Sequence, residues 1–297
     1  TTNYTDKYGN VAKIPAGFAV GIDEEINDVT DGLVIRDEQG NQYVWIPIGK
    51  VYKNKQKEYE EIELGRYTFA ADGTPKLAQS ADNYTNVVSI SPYYQELSSS
   101  SKGNAAAKNL GDFITKAKNA GGYYIGRYEV GDANAKEERI FTEDTSHPEA
   151  IPVIKKDKWP YNYINQADAS KLAKNLYNEN SDVESDLISS YAWDTAIIFI
   201  QTFSGDIDYS KQIYLQESLN TTGNEHDSNN NYDVRCNIYD MAGNVEEWTT
   251  EECTNVNSPC VDRGGRYGDK NDYVANRSYS NTNASRNVLG FRTIMYL

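Results

Sequence analysis

The last third of this chain never sustains a helical repeat. Residues 203–297 are punctuated by Gly, Asn and Asp, and their apolar residues come in short pieces: NIYDMAGNVEEWT, CVDRGG and LGFRTIMYL. Such pieces between turn residues read as short strands joined by loops. Upstream the pattern changes. NAAAKNLGDFITKAKNAGG sets Leu110, Phe113, Ile114 and Ala117 at helical spacing before a Gly-Gly stop. NQADASKLAKNLYNEN reads as a second amphipathic helix that starts near Ala167 or Asp168, with Leu172, Ala173 and Leu176 inward. SDVESDLISSYAWDTAIIFIQTF reads as a third, with Leu187, Tyr191, Ala192, Ile198 and Phe199 mostly buried. YYIGRYEVGD, after the first helix, reads as a strand.

The N-terminal part is less sharply patterned. GFAVGIDE and GLVIRDEQGNQYVWIPI alternate apolar and polar residues and carry Gly-Asn and Asp-Gly turn signals, so residues 1–50 read as strands and turns. KVYKNKQKEYEEIELGRYTF fits strand–turn–strand, and SADNYTNVVSISPYYQELSSSSKGN reads as a surface loop. No repeat and no clean linker divides the chain. Residues 1–104 are therefore expected to be a strand and loop region of the same domain as 105–297. The start TTNYTDKYGN has neither Met nor a signal-peptide pattern, which suggests a processed product or an excised fragment.

Charge and composition narrow the partners. The 29 Lys+Arg against 44 Asp+Glu leave a net charge of −15. A chain this acidic repels a phosphate backbone, so nucleic acid is not an expected partner. The longest apolar stretch, Ala196 to Ile200, is far too short to insert in a membrane. Disordered chains are poor in aromatics, whereas this one has 24 Tyr against 7 Phe and 4 Trp. Tyr serves contact surfaces as much as cores. Three Cys occur, Cys236, Cys253 and Cys260, without the CxxC pairs and His partners of a metal site. Unpaired thiols and a Cys253–Cys260 staple both fit that spacing.

Four pieces then follow in a fixed order: GGYYIGRYEVGD at 121–132, YDMAGNVEEWT at 239–249, VDRGGRYGD at 261–269 and GFRTIMYL at 290–297. This series resembles the formylglycine-generating enzyme (sulfatase-modifying factor) family. The resemblance implies an α+β fold, a variant of the C-type lectin fold, with short antiparallel strands, two or three helices and many loops. Read physically, Gly243 of AGNVEEW permits a tight backbone, Val245 faces inward and Trp248 is a core anchor. In the family the matching region can hold calcium through oxygen ligands. A structural calcium ion at Asn244 and Glu247 is thus one expectation, and the satisfying of buried backbone amides is the other. Arg292 of GFRT is expected to pair with a buried carboxylate, with Glu129 one candidate.

The resemblance also shows what is missing. The formylglycine-generating enzymes bind copper through a cysteine pair near the closing motif, where this chain has Thr293. The related iron-dependent sulfoxide synthases need an HxxxHxE triad. The only histidines here are His147 and His226, both in acidic or polar stretches that read as solvated loops. No GxSxG, HExxH or P-loop pattern is present. The chain is expected to be no enzyme of these types and to carry no catalytic residue, catalytic metal or organic cofactor. An oxidase of the formylglycine-generating type and a structural fibre module are the alternatives.

The segment between RGG and GFR is RGGRYGDKNDYVANRSYSNTNASRNVLGFR, residues 263–292. It is dense in Asn, Tyr, Ser, Asp and Arg and nearly lacks Leu, Ile and Phe, which is the chemistry of an antibody paratope. In this position it resembles the variable proteins of diversity-generating retroelements. In those, adenine-directed changes scatter Asn-type codons into Tyr, Ser, Asp and Thr just before the C-terminus. The resemblance implies a non-enzymatic protein that displays a diversified surface to a protein or glycan receptor. It also implies an extracellular place, on a phage tail-fibre tip or a bacterial cell surface, with oligomers allowed. The ligand-binding candidates are Arg266, Tyr267, Asp269, Asn271, Asp272, Tyr273, Ser278, Tyr279, Asn281 and Asn283, with Ala275 and Arg277 as supports between them. Within 263–292 the charge reverses, since six Lys and Arg face only Asp269 and Asp272. The acidic residues elsewhere are expected on surface loops and helix faces.

Overall fold

A computed structural model of the chain describes residues 1–21, 28–77, 94–96, 110–141, 147, 149–224, 233–253 and 255–297. Its centre is a six-stranded antiparallel sheet in the order Glu184–Leu187, Thr293–Tyr296, Gly122–Gly126, Gln42–Pro47, Val34–Asp37 and Phe18–Val20. Alternate side chains of these strands enter two cores. Val44, Ile46, Tyr123, Ile125, Ile294 and Tyr296 enter one, and Tyr43, Trp45, Tyr124 and Met295 the other. Burial on both faces corrects the alternation expected of the YVWIPI stretch, since Tyr43 to Pro47 are all buried.

Helices close one face. α1 (Leu110–Ala120) buries Leu110, Phe113, Ile114 and Ala117, the four positions marked by its periodicity. It shares that face with α3 (Ser190–Phe203), which is buried almost all round. α2 (Gln166–Asn175) lies over the opposite face. It starts at Gln166, where the Asn165 side chain caps it by accepting from the amide of Asp168 at 2.9 Å. Gln166, Ala169, Ser170 and Ala173 are its buried residues, while Leu172 and Leu176, expected inward, are only half-buried.

The third helical segment is shorter than its pattern suggests. Glu184–Leu187 is a strand, and α3 begins after Ser189. The stretch pairs with Thr293–Tyr296 from Glu184↔Tyr296 to Leu187↔Thr293, so tertiary pairing overrides its helical spacing. Ser189 then caps the helix through the amide of Ala192. Beyond Phe203 the one helical element among the described residues is a short 3₁₀ turn, Tyr209–Lys211.

A second, five-stranded sheet carries the C-terminal motifs. Glu246–Cys253 pairs with Tyr94–Glu96 and with Cys260–Arg263, and the latter pairs with Arg277–Ser280. Leu289–Phe291 runs parallel beside the start of Glu246–Cys253. Tyr94–Glu96 falls inside the 80–104 stretch read as a loop, whose other residues lie outside the described ones. Near the start, Gly49–Tyr52 and Tyr59–Ile62 form the expected strand–turn–strand. Phe291 ends in the second sheet and Thr293 begins in the first, so the GFRT motif stitches the two sheets together.

Candidate binding face

The segment 263–292 leaves the second sheet after Arg263, loops outward, returns as Arg277–Ser280 and turns again before Leu289. Its exit requires two glycines. Gly264 has φ +84°, and a Cβ there would lie 2.6 Å from the carbonyl oxygen of Met241. At Gly265 a Cβ would come 2.2 Å from the carbonyl oxygen of Ala242. The backbone is then tied to the 210–216 segment. The amides of Gly268, Val274 and Ala275 donate to the carbonyls of Gln216, Gln212 and Ser210 at 2.7, 3.2 and 2.9 Å. The Trp193 indole donates to the carbonyl of Val274 at 2.9 Å.

Beneath this loop lies a closed ionic cluster. Arg263 reaches Asp194 at 2.6 Å, and Arg277 reaches Asp194 at 2.8 Å and Glu251 at 3.0 Å. Arg66 and the Ser190 hydroxyl also bond Glu251. Burial works to raise the Glu251 carboxyl, but the guanidiniums of Arg277, Arg66 and Arg263 outweigh it and hold the group at about 2. Arg277 and Ala275 are thus fixed into the scaffold. Arg292 chelates Glu247, with Nε 2.8 Å from Oε2, rather than Glu129. Glu129 instead accepts from Asn244 at 2.6 Å and from the amide of Val245 at 3.0 Å.

These pairs correct the surface reading of the carboxylates. Every residue from Glu246 to Cys253 is buried, including four Glu. A strand with four Glu reads as solvated, and the usable signal is the matching set of arginines at 263, 277 and 292. The charge balance within 263–292 changes with it, because those three arginines face inward. Arg266, Lys270 and Arg286 are the cations left toward solvent.

The candidate residues fall into two groups. Arg266, Tyr267, Asp269, Asn271, Asp272 and Tyr273 lie on the outward loop. Arg266 sits 3.1 Å from Asp269, 3.6 Å from Glu246 and 3.8 Å from Asp272. Asp269 accepts from the amide of Asn271 at 2.6 Å, which holds its carboxyl below the usual range. Tyr267 is half-buried and takes a hydrogen bond from Asn287. Tyr273 is half-buried under the ammonium of Lys211, 4.5 Å from the ring centre. The second group is on the returning strand and its turn. Ser278 accepts from Asn276 at 3.2 Å, while Tyr279 is 49% exposed and Asn281 and Asn283 are exposed. Asn276 joins the groups, because the same amide donates to Asp272 at 2.8 Å. Ile213 and Leu215, exposed on the 210–216 segment, border the face and were not marked by the sequence.

The residues present do not fit the family's metals. Thr293, at the position of a copper-binding cysteine, is buried and shares a hydrogen bond with the Tyr43 hydroxyl at 3.3 Å. Cys236, Cys253 and Cys260 form no disulfide, and burial pushes Cys236 and Cys260 up to about 12. Thiolate ligation is thereby disfavoured at those two. Calcium at Asn244 and Glu247 fits no better. The Asn244 side-chain oxygen accepts from Gln216 at 3.1 Å and from the amide of Asn220 at 3.0 Å, and Glu247 is engaged by Arg292. It is Asn244, at φ +61°, and not Gly243 that takes the left-handed turn. His147, expected in solvent, is buried edge-on to Tyr161, with Nε2 2.6 Å from the carbonyl of Tyr163. His226 lies outside the described residues. A cavity of about 530 Å³ sits at a distant sheet edge, lined by Phe18, Asp37 and Tyr177 among others, and no residue of 263–292 lines it.

A family model described as sulfatase-modifying factor enzyme 1-like domain matches residues 34–297. Among solved structures, Treponema denticola variable protein 1 is similar at 14% identity and a TM-score of 0.39, over 96% of this chain and 100% of that one. A second, described as the crystal structure of CarF, is similar at 15% identity and a TM-score of 0.39, over 59% of this chain and 87% of that one. Likenesses this distant carry no weight for function. No curated protein matches the sequence significantly.

Proposed function

The chain belongs to the sulfatase-modifying factor enzyme 1-like domain family, and we propose that it is a binding member of that family without enzymatic activity. Its ligand site is the face built by residues 263–292. One observation carries the reading: within this segment the backbone and the supports are fixed, while the outer side chains are open to solvent. Arg263, Ala275 and Arg277 are locked in the scaffold, whereas Asn271, Tyr279, Asn281 and Asn283 are exposed. A surface of that kind tolerates exchange of its outer residues without loss of the fold. That is the property a diversity-generating retroelement requires of its variable protein.

The ligand is a protein or glycan receptor on a cell surface, and the protein is displayed outside the cell or virion that carries it. No chemistry is required of the face beyond contact area and hydrogen bonds. Rigid Tyr supplies area at low entropic cost, and Asn supplies adaptable polar contacts. The fluorescently labelled chain should adhere to a subset of a panel of bacterial strains. A Tyr279→Ala, Asn281→Ala, Asn283→Ala variant should melt as the parent does and lose adhesion. A variant that adheres unchanged would refute the site. Turnover of a thiol peptide by the copper-supplied parent would refute the absence of activity.

A further inference from the structure

An acidic recess lies on the opposite face of the second sheet from the Arg263–Arg277 cluster. Glu246 and Trp248 share a face of their strand, the register pairs Trp248 with Asp262, and Asp262 is paired with Ser278. Glu246 and Asp262 therefore sit side by side, 7% and 1% exposed. The outward loop brings Asp272 over them, and Arg266 lies across the top. The Arg266 Nε is 3.6 Å from Glu246 and 3.8 Å from Asp272, and its Nη2 is 3.1 Å from Asp269. Arg266 itself is 30% exposed, so solvent reaches this guanidinium.

The recess is unfinished from within. The buried Asp262 Oδ1 accepts no hydrogen bond among the described residues. An unpaired buried acceptor of that kind is destabilising, so a donor brought to it is rewarded. Burial and the neighbouring carboxylates raise Glu246 to about 9 and Asp262 to about 7. These acids retain protons near neutrality because Arg266, with Arg286 acting on Asp262 as well, does not offset their burial and mutual repulsion. A planar, multidentate cation is the group that suits several convergent carboxylates.

We propose that Glu246, Asp262 and Asp272 form a seat for a guanidinium or alkylammonium group, plugged in this chain by its own Arg266. Residue 266 then decides whether the face admits a cationic side chain of a partner. A small residue there opens the seat to an Arg or Lys of the receptor, and Arg266 closes it. This rests on the binding-face reading and adds the chemistry of one subsite to it. The seat acids Glu246 and Asp262 lie before residue 263, so they stay constant while position 266 changes.

The test is chemical rescue in the full chain. At pH about 9, where Glu246 begins to lose its proton, Arg266→Ala should lower the melting temperature and Arg266→Lys should lower it less. Millimolar methylguanidinium chloride should restore at least half of the Arg266→Ala loss, because a ligand of the folded state stabilises it. Sodium chloride of equal ionic strength should not. Arg266→Ala combined with Glu246→Gln should abolish the rescue. Absence of rescue, or equal rescue in the double variant, overturns the seat. Adhesion to cells is read in parallel. Adhesion without rescue removes the seat and keeps the binding reading, and rescue without adhesion by the parent keeps the seat and removes its role.

Discussion

Two charged clusters lie back to back across the strand Cys260–Arg263, and they are finished to different degrees. On one face Arg263, Arg277 and Arg66 enclose Asp194 and Glu251, whose side chains are fully buried. On the other, Glu246, Asp262 and Asp272 lie under the partly exposed Arg266. One residue step, from Asp262 to Arg263, passes from the open cluster to the closed one. The closed cluster fixes the loop ends, and so the backbone of the face is specified from below. The open cluster leaves its cation exchangeable. A binding surface whose residues change needs both, a support that tolerates no substitution and an outer layer that tolerates many.

Breaking the closed cluster should have the largest effect. Glu251→Ala leaves Arg66, Arg263 and Arg277 buried against Asp194 alone and is expected to cost about 3–5 kcal/mol in denaturant unfolding. A loss as small as that of a surface substitution would show that the cluster does not carry the loop. Gly265→Ala comes next. Its new Cβ meets the Ala242 carbonyl oxygen at 2.2 Å, and such overpacking costs roughly 1–3 kcal/mol. An unchanged unfolding midpoint would mean that the exit of the loop is not constrained there.

Acid and base should separate the clusters further. Glu251 is held at about 2, below its ordinary 4.5, so its contribution is present above pH 4.5 and fades as the pH falls toward 2. Glu246 and Asp262 are raised to about 9 and 7. Unfolding lets them ionise, so the stability tied to their protons is complete below the ordinary carboxylate range. It is lost as the pH climbs through 7 and 9. Melting temperature should therefore fall at both ends, and Glu246→Gln should flatten the alkaline side only. An alkaline slope that survives in the Glu246→Gln, Asp262→Asn double variant would assign it elsewhere. The smallest effect belongs to the outer layer. Tyr279→Ala, at 49% exposure, should change stability by no more than about 0.5 kcal/mol. A larger loss would place Tyr279 in the support.

The contrast also marks what the sequence discloses. The four ordered motifs identify the family, and helical spacing marks the inward face of α1 residue for residue. Helical spacing failed where pairing partners are remote. Glu184–Leu187 follows a helical spacing but is claimed by Thr293–Tyr296, more than a hundred residues away. The acidic strand Glu246–Cys253 hides its burial because local hydropathy cannot see arginines that arrive from 263, 277 and 292. At the face, residue type separates the segment from ordinary strands. It does not separate Tyr279, which is open, from Tyr267 and Tyr273, which the Asn287 amide and the Lys211 ammonium hold against the scaffold.

The most direct test of a fixed support under an exchangeable layer is deep sequencing of the codons for 263–292 in a population grown from one cell. Substitutions should concentrate at codons 266, 267, 269, 271, 272, 273, 278, 279, 281 and 283, and arise at adenines. Those for Arg263, Ala275, Arg277 and Arg292 should remain constant. No excess of substitutions at those ten codons, or equal change at 263 and 277, would contradict the account.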